Sequence, residues 1–209
     1  MDKRRFGARL DIIPKEFKFI IEIERLKDSE EIYEGNCYEL INALSSNWTK
    51  NEGLKRKLHN FLAANSTIID HTRRLVNSYP QVKNIISERI KKDFEESPLN
   101  NFIKDLRNYF SHYSLPLMTG EIKLKNYNLV VTQPILFKEE LLKWAGWNKY
   151  SKSFILNSES DLIVRNIIVE HYNRMAELYT YLRQSLIEVY NEEYKKYDEF
   201  LDNFFNVKH

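Results

Sequence analysis

The side chains best suited to chemistry lie together in Asn101-Phe102-Ile103-Lys104-Asp105-Leu106-Arg107-Asn108-Tyr109-Phe110-Ser111-His112-Tyr113-Ser114-Leu115-Pro116. Arg107 and His112 are separated by four residues, and Asn108 follows the arginine directly. On a helix turning about 100° per residue, Phe102, Ile103, Leu106, Tyr109, Phe110 and Tyr113 share one apolar face, which reads as core. Arg107 and Ser111, one turn apart, form one polar edge of that face; Asn108 and His112 form the other. An i,i+4 hydrogen bond from Asn108 can orient the His112 imidazole. The C-terminal end of a helix favours a protonated ring. A histidine placed this way is suited to proton transfer near neutral pH. Arg107 adds a bidentate fork for an anionic oxygen pair.

The elements that must hold this segment are mainly helical. Asn100 or Asn101 can cap a helix from Phe102 to about Tyr113, which stops before Pro116 because the residue before proline resists the helical region. Between Asp11 and Arg25 the apolar pattern fits a strand or a helix equally. A helix is expected from about Ser29 to Trp48, weakened near its start by Gly35. Thr49-Lys50-Asn51-Glu52 reads as a capping box for a long helix through Leu75 and Val76, stopped at Ser78-Tyr79-Pro80. Gln81 to Phe94 forms another helix. Ile122 and Leu124, then Leu129 to Thr132, flank the turn residues Asn126-Tyr127-Asn128 and predict a small β-hairpin over about 120–133. Leu136 to Trp144 reads as a short helix. Ser158-Glu159-Ser160-Asp161 resembles a capping box before a stripe from Leu162 to Tyr190 that continues to Phe205. Helices of this length must pack on one another. With no low-complexity linker and no internal repeat, the 209 residues are expected to form one domain.

Composition excludes several function classes. Five glycines and five prolines are too few for a turn-rich sandwich or barrel, and no glycine-rich phosphate loop is present. The single cysteine, Cys37, excludes an intrachain disulfide and a cysteine-based zinc site. No H-x-x-x-H or H-E-x-x-H occurs, and His59 and His71 are too far apart to share a metal from one helix turn, so no metal or cofactor is expected. Thirty-two basic and 30 acidic residues, interspersed, neither demand nor exclude nucleic acid. No apolar run approaches the length of a membrane span, and Met1-Asp2-Lys3-Arg4-Arg5-Phe6 leads into no signal core; a cytoplasmic protein is expected.

The pattern Arg107-Asn108…His112 near the end of a bundle helix resembles the signature of the HEPN superfamily, an arginine, a polar residue and, after four to six residues, a histidine. The resemblance implies an antiparallel α-helical bundle that dimerises about a twofold axis. It also implies a metal-independent endoribonuclease site built from both copies of the motif, of the kind used in toxin–antitoxin and anti-phage systems. Arg107, Asn108 and His112 would be catalytic, Ser111 and Tyr113 would touch RNA, and an antitoxin protein would be a further partner. Such cleavage needs a base for the 2′-OH and an acid for the leaving 5′-oxygen, roles for His112 and its twofold mate, while Arg107 stabilises the charged phosphorane. Some members carry His-x-Tyr; here Tyr113 follows His112 directly and Ser114 takes the next place. Roles that depend on that tyrosine do not transfer.

Three alternatives stand beside this reading. Arg165-Asn166…His171, with five residues between, also satisfies the pattern, but inside a long helix. Arg107 could instead pair with Asp105 or with glutamates of a neighbouring helix and His112 could cap the helix, leaving a non-catalytic helical module that binds a protein or nucleotide. Tyr172, Tyr179, Tyr190, Tyr194 and Tyr197 could stack on bases, although such a stripe is more often core or dimer interface. The basic residues Lys55-Arg56-Lys57, Arg73-Arg74 and Arg89 to Lys92 read first as solvated helix faces.

Overall fold

The computed structural model describes residues 14, 17–45, 53–114, 118–125 and 128–206. The ambiguous N-terminal segment is helical, and it merges with its successor into one helix, α1 (Lys18–Ser45). The deciding pattern is Leu26, Ser29, Tyr33, Cys37, Leu40 and Leu44, buried at intervals of three and four. Gly35 sits on the exposed side, where an added β-carbon would have nothing within 4 Å, so it costs propensity without breaking the helix.

The expected long helix is α2 (Leu54–Ser78), about 37 Å at 1.5 Å per residue. Its expected capping box, Thr49 to Glu52, lies outside the described residues. Gly53 stands at the N-cap with φ 90° and no side-chain cap, a conformation that glycine adopts without a β-carbon clash. The ion pair of Lys57 with Glu39 and the 2.6 Å hydrogen bond between Ser29 Oγ and His71 Nδ1 show that α1 and α2 run antiparallel.

Pro80 opens α3 (Pro80–Ile90), which passes into a π-helical turn (Lys91–Glu95). Helix α4 (Pro98–His112) starts earlier than expected, and its cap is Ser97 rather than Asn100 or Asn101. The Ser97 hydroxyl accepts from Asn100 N, and Pro98 at the first helical position lacks the donor that would go unused there. The two asparagines point backward instead. Asn100 Nδ2 donates to the Asp93 carbonyl, and Asn101 Nδ2 reaches the carbonyls of Glu95 and Ser97, which closes the π-turn.

The hairpin is present and longer than expected. β1 (Met118–Lys125) pairs antiparallel with β2 (Asn128–Leu136), and β2 pairs with the two-residue β3 (Leu162–Ile163). Between them lie α5 (Lys138–Leu142) and α6 (Lys149–Asn157). Periodicity gives α6 no signal, because only Ser151 and Ile155 are buried along it; Asn148 caps it through Tyr150 N and Ser151 N. The Ser158–Asp161 box does not cap a helix. Asp161 Oδ1 accepts from Lys138 N at the start of α5, and α7 (Val164–Val189) begins after the strand.

The last apolar stripe is two helices rather than one. Tyr190 leaves the helical region at φ −111°, ψ 30°, and α8 (Asn191–Asn206) follows. Contacts of Tyr33 with His171 and of Ser45 with Arg165 place α7 antiparallel to α1. The main core of this mainly α fold joins Tyr33, Phe61, Ile68, Phe102, Ile103, Leu106 and Tyr179 from α1, α2, α4 and α7. A second aromatic cluster packs Phe17 and Phe19 on Tyr190, Tyr194, Tyr197 and Phe200. The tyrosine stripe is therefore packed rather than offered to bases. No described helix is long and apolar enough to cross a membrane.

Candidate functional site

Helix α4 lies between α2 and α6, and the two flanks are built differently. Toward α6 the contact is aromatic and hydrogen-bonded. Phe102 stacks on Phe154 at 4.9 Å and on Trp147 at 5.5 Å, and Tyr109 also stacks on Trp147 at 5.5 Å. Asp105 is buried and accepts from Asn148 N at 2.9 Å and Ser151 Oγ at 2.7 Å. Asn148 Nδ2 donates to Asn101 Oδ1 at 2.9 Å, so the α6 cap is fastened to α4 at two points. Replacing Asp105 with alanine leaves an unpaired backbone N–H and a buried hydroxyl. The variant is expected to lose about 2–3 kcal/mol of stability, read as a lower urea midpoint; an unchanged midpoint would remove Asp105 as the fastening.

Toward α2 the contact is apolar. Phe110 is buried, with the ring of the exposed His59 6.5 Å away. The Arg107–Ser111 edge borders this α2 flank, and the Asn108–His112 edge borders α6. Arg107, Ser111 and His112 are exposed and Asn108 is half-buried. Among the described residues none of these four side chains makes a hydrogen bond or ion pair. Two expectations are thereby corrected. Asn108 does not hold the imidazole, and Arg107 is not neutralised by Asp105, because the Asp105 carboxylate is turned into the core by Asn148 and Ser151. Arg107 and His112 stand about 140° apart on the helix, so one chain does not bring them together.

Tyr113 also departs from expectation. Helical spacing puts it on the core face, yet it is 51% exposed. The helix closes just before it: the N–H groups of Tyr113 and Ser114 both donate to the Tyr109 carbonyl, at 3.0 and 3.1 Å. The Tyr113 ring then rests on Tyr109 (5.1 Å) and against Trp144 (6.4 Å) rather than under a neighbouring helix.

The second Arg…His pair has a different fate. His171 is fully buried, with Nδ1 2.9 Å from the Tyr33 hydroxyl and Nε2 without a partner among the described residues. Burial, with a smaller contribution from the Arg174 guanidinium, pushes its pKa down to about 3. Arg165 donates through Nε to Ser45 Oγ. An imidazole sealed in this way cannot meet a macromolecular substrate.

Cys37 and Tyr179 are structural. Burial pushes the Cys37 thiol up to about 12, so it is no nucleophile at neutral pH. Tyr179 donates or accepts with Thr72 Oγ1 at 2.7 Å in the core. Among the described residues no three His, Cys, Asp or Glu side chains are arranged to hold a metal ion. Two groups near the motif escape a reading of spacing alone. His59 reaches the Arg107 flank from about fifty residues upstream, and Trp144 reaches Tyr113 from thirty downstream, with only their aromatic character as a signal. Comparison of the whole chain with models of protein families, with curated proteins and with solved structures finds no match to any of the three.

Proposed function

We propose that this protein is a metal-independent endoribonuclease of the HEPN type, acting as a homodimer in a toxin–antitoxin or anti-phage setting. The observation that carries the reading is the state of α4. Arg107 and His112 stand exposed on its two edges with no partner among the described residues, while the helix's single acid, Asp105, is buried and engaged elsewhere. The exposed surface of α4 thus offers cations and an imidazole to a phosphate without a competing carboxylate of its own. A twofold mate would supply a second imidazole, and its arginine would reach the His112 that the 140° separation keeps from Arg107 of the same chain.

In the reaction one His112 takes the proton of the 2′-OH as that oxygen attacks the adjacent phosphorus. Arg107 holds the charge on the phosphorane oxygens. The P–O5′ bond breaks, and the second His112 protonates the departing oxygen. The products are a 2′,3′-cyclic phosphate and a 5′-hydroxyl, and no water or metal enters this step.

The test is cleavage of structured and unstructured RNA by purified protein in excess EDTA, with light scattering for the mass. A dimer should leave cyclic phosphate ends, and Arg107→Ala should cut at least about 100-fold more slowly, as for other lost oxyanion donors. An inactive wild-type dimer, or full activity in Arg107→Ala, would overturn the reading and favour a non-catalytic binding module.

A further inference from the structure

Beside the motif, and apart from its acid–base groups, the fold builds an aromatic surface. Tyr113 is half exposed, and the Trp144 indole is partly open to solvent. Both rest on a buried base formed by Tyr109 and Trp147. Tyr109 meets Trp144 edge-on at 5.6 Å, and Trp144 meets Trp147 edge-on at 4.8 Å, so the indole is fixed at a steep angle to the rings beneath it.

The backbone is adapted to that placement. Gly146 lies so close under the indole that an added β-carbon would come within 2.3 Å of Trp144 Cζ2. Any other residue would force the ring away. The glycine that makes room for the indole stands at an exposed turn; Ala145 and Gly146 are both exposed. The surface is continuous with the candidate site, because Tyr113 directly follows His112. Its charge setting is mixed: α4 exposes Lys104 and Arg107 and no acid, while Lys143, next to Trp144, is ion-paired with Glu140.

We infer that Tyr113 and Trp144 form a stacking subsite for an unpaired base of RNA next to the phosphate held at the motif. This rests on the ribonuclease reading above and names what that site would select. A π-face accepts any base, but only a base out of the duplex can lie on it. The subsite therefore distinguishes single strands and loops from paired RNA, while phosphate contacts from Arg107 and Lys104 do not.

The test uses a fluorescent 12-mer of 2′-O-methyl RNA, which has no 2′-OH nucleophile, so binding is read without cleavage. The single-stranded form is compared with its duplex and with a 12-mer abasic at every position. Wild type should bind the single strand at least 10-fold tighter than either, with quenching of tryptophan fluorescence. Tyr113→Ala and Trp144→Ala should each weaken single-strand binding about 5- to 100-fold, in line with base stacking on aromatic rings. Trp144→Phe should recover part of the loss, and Gly146→Ala should reproduce it by displacing the indole. Tyr113→Ala removes an exposed ring and keeps the fold, so it stays informative if Trp144→Ala does not fold.

Equal affinity for the abasic strand, or unchanged affinity in Tyr113→Ala and Trp144→Phe together, would overturn the subsite. A protein that cleaves RNA in EDTA but shows either result keeps its ribonuclease function and loses the stacking site. One that binds as described yet never cleaves natural RNA keeps the stacking site and loses the catalytic role. If it neither binds nor cleaves, both fall.

Discussion

His112→Ala is expected to lower RNA cleavage by about 10²- to 10⁴-fold, the usual worth of a positioned general acid or base. If both imidazoles of a dimeric site take part, the loss lies toward the upper end, since one substitution removes the base and the acid together. The same change should leave stability within about 0.5 kcal/mol, because the side chain is exposed and bonds to nothing among the described residues. His171→Phe supplies the contrast: it alters the other Arg…His pattern and should destabilise the fold without entering the chemistry. Rates should be measured in EDTA on preparations matched for dimer content and thermal midpoint. Retained cleavage in a dimeric His112→Ala protein would remove this histidine from the mechanism. A matching loss of thermal midpoint would mean that the rate fell through unfolding.

Acid is expected to destabilise the protein through His171 before most of its carboxylates are protonated. The ring is held neutral in the folded chain, with its pKa pushed down to about 3 by burial and then by Arg174. In the unfolded chain it returns to about 6.5, so below that pH the unfolded state binds the extra proton. The stabilisation is complete above about pH 6.5 and is lost as pH falls toward 3, at about 1.4 kcal/mol per pH unit. From pH 7 to pH 5 this amounts to about 2 kcal/mol. The charged group near the ring is Arg174, ion-paired with Glu170, and the hydroxyl facing it belongs to Tyr33. Neither supplies a carboxylate that would welcome the imidazolium.

Urea unfolding at pH 7.5, 6.0 and 5.0 would show this as a slope. His171→Phe removes the titration. It also takes the imidazole partner from the Tyr33 hydroxyl, leaving it the Cys37 thiol, so its stability at pH 7.5 should be lower by about 0.5–1.5 kcal/mol. Its loss between pH 7.5 and pH 5.0 should nevertheless be smaller than that of wild type. Identical pH slopes in the two proteins would assign the acid sensitivity to other groups.

Local interactions made much of this molecule legible in the sequence. Spacing of three and four placed α2, α3 and α7, and alternation placed the β-hairpin. The 140° between Arg107 and His112 follows from helix geometry alone, as does the burial of Phe102, Ile103, Leu106, Tyr109 and Phe110. Where local signals compete, they were weaker guides. Ser97 outranked the asparagines as the cap of α4 because Asn100 and Asn101 found carbonyls of the π-turn to bond. The Ser158–Asp161 box went unused because Asp161 found the start of α5.

Only the tertiary structure decided which copy of the Arg…His pattern meets solvent. Both histidines lie on helices, and periodicity does not say which side a neighbour will cover. His171 faces α1 and α2, meeting Tyr33 and Phe61, and is sealed between them. His112 comes at the end of α4, where no element described here packs over it. The fold likewise turned Asp105 inward onto the α6 cap and left Tyr113 outside, against Trp144. Spacing along a helix determines which side chains share a face. Whether that face becomes core, site or solvent depends on helices far away in the chain, and this was settled when α2 and α6 closed on α4.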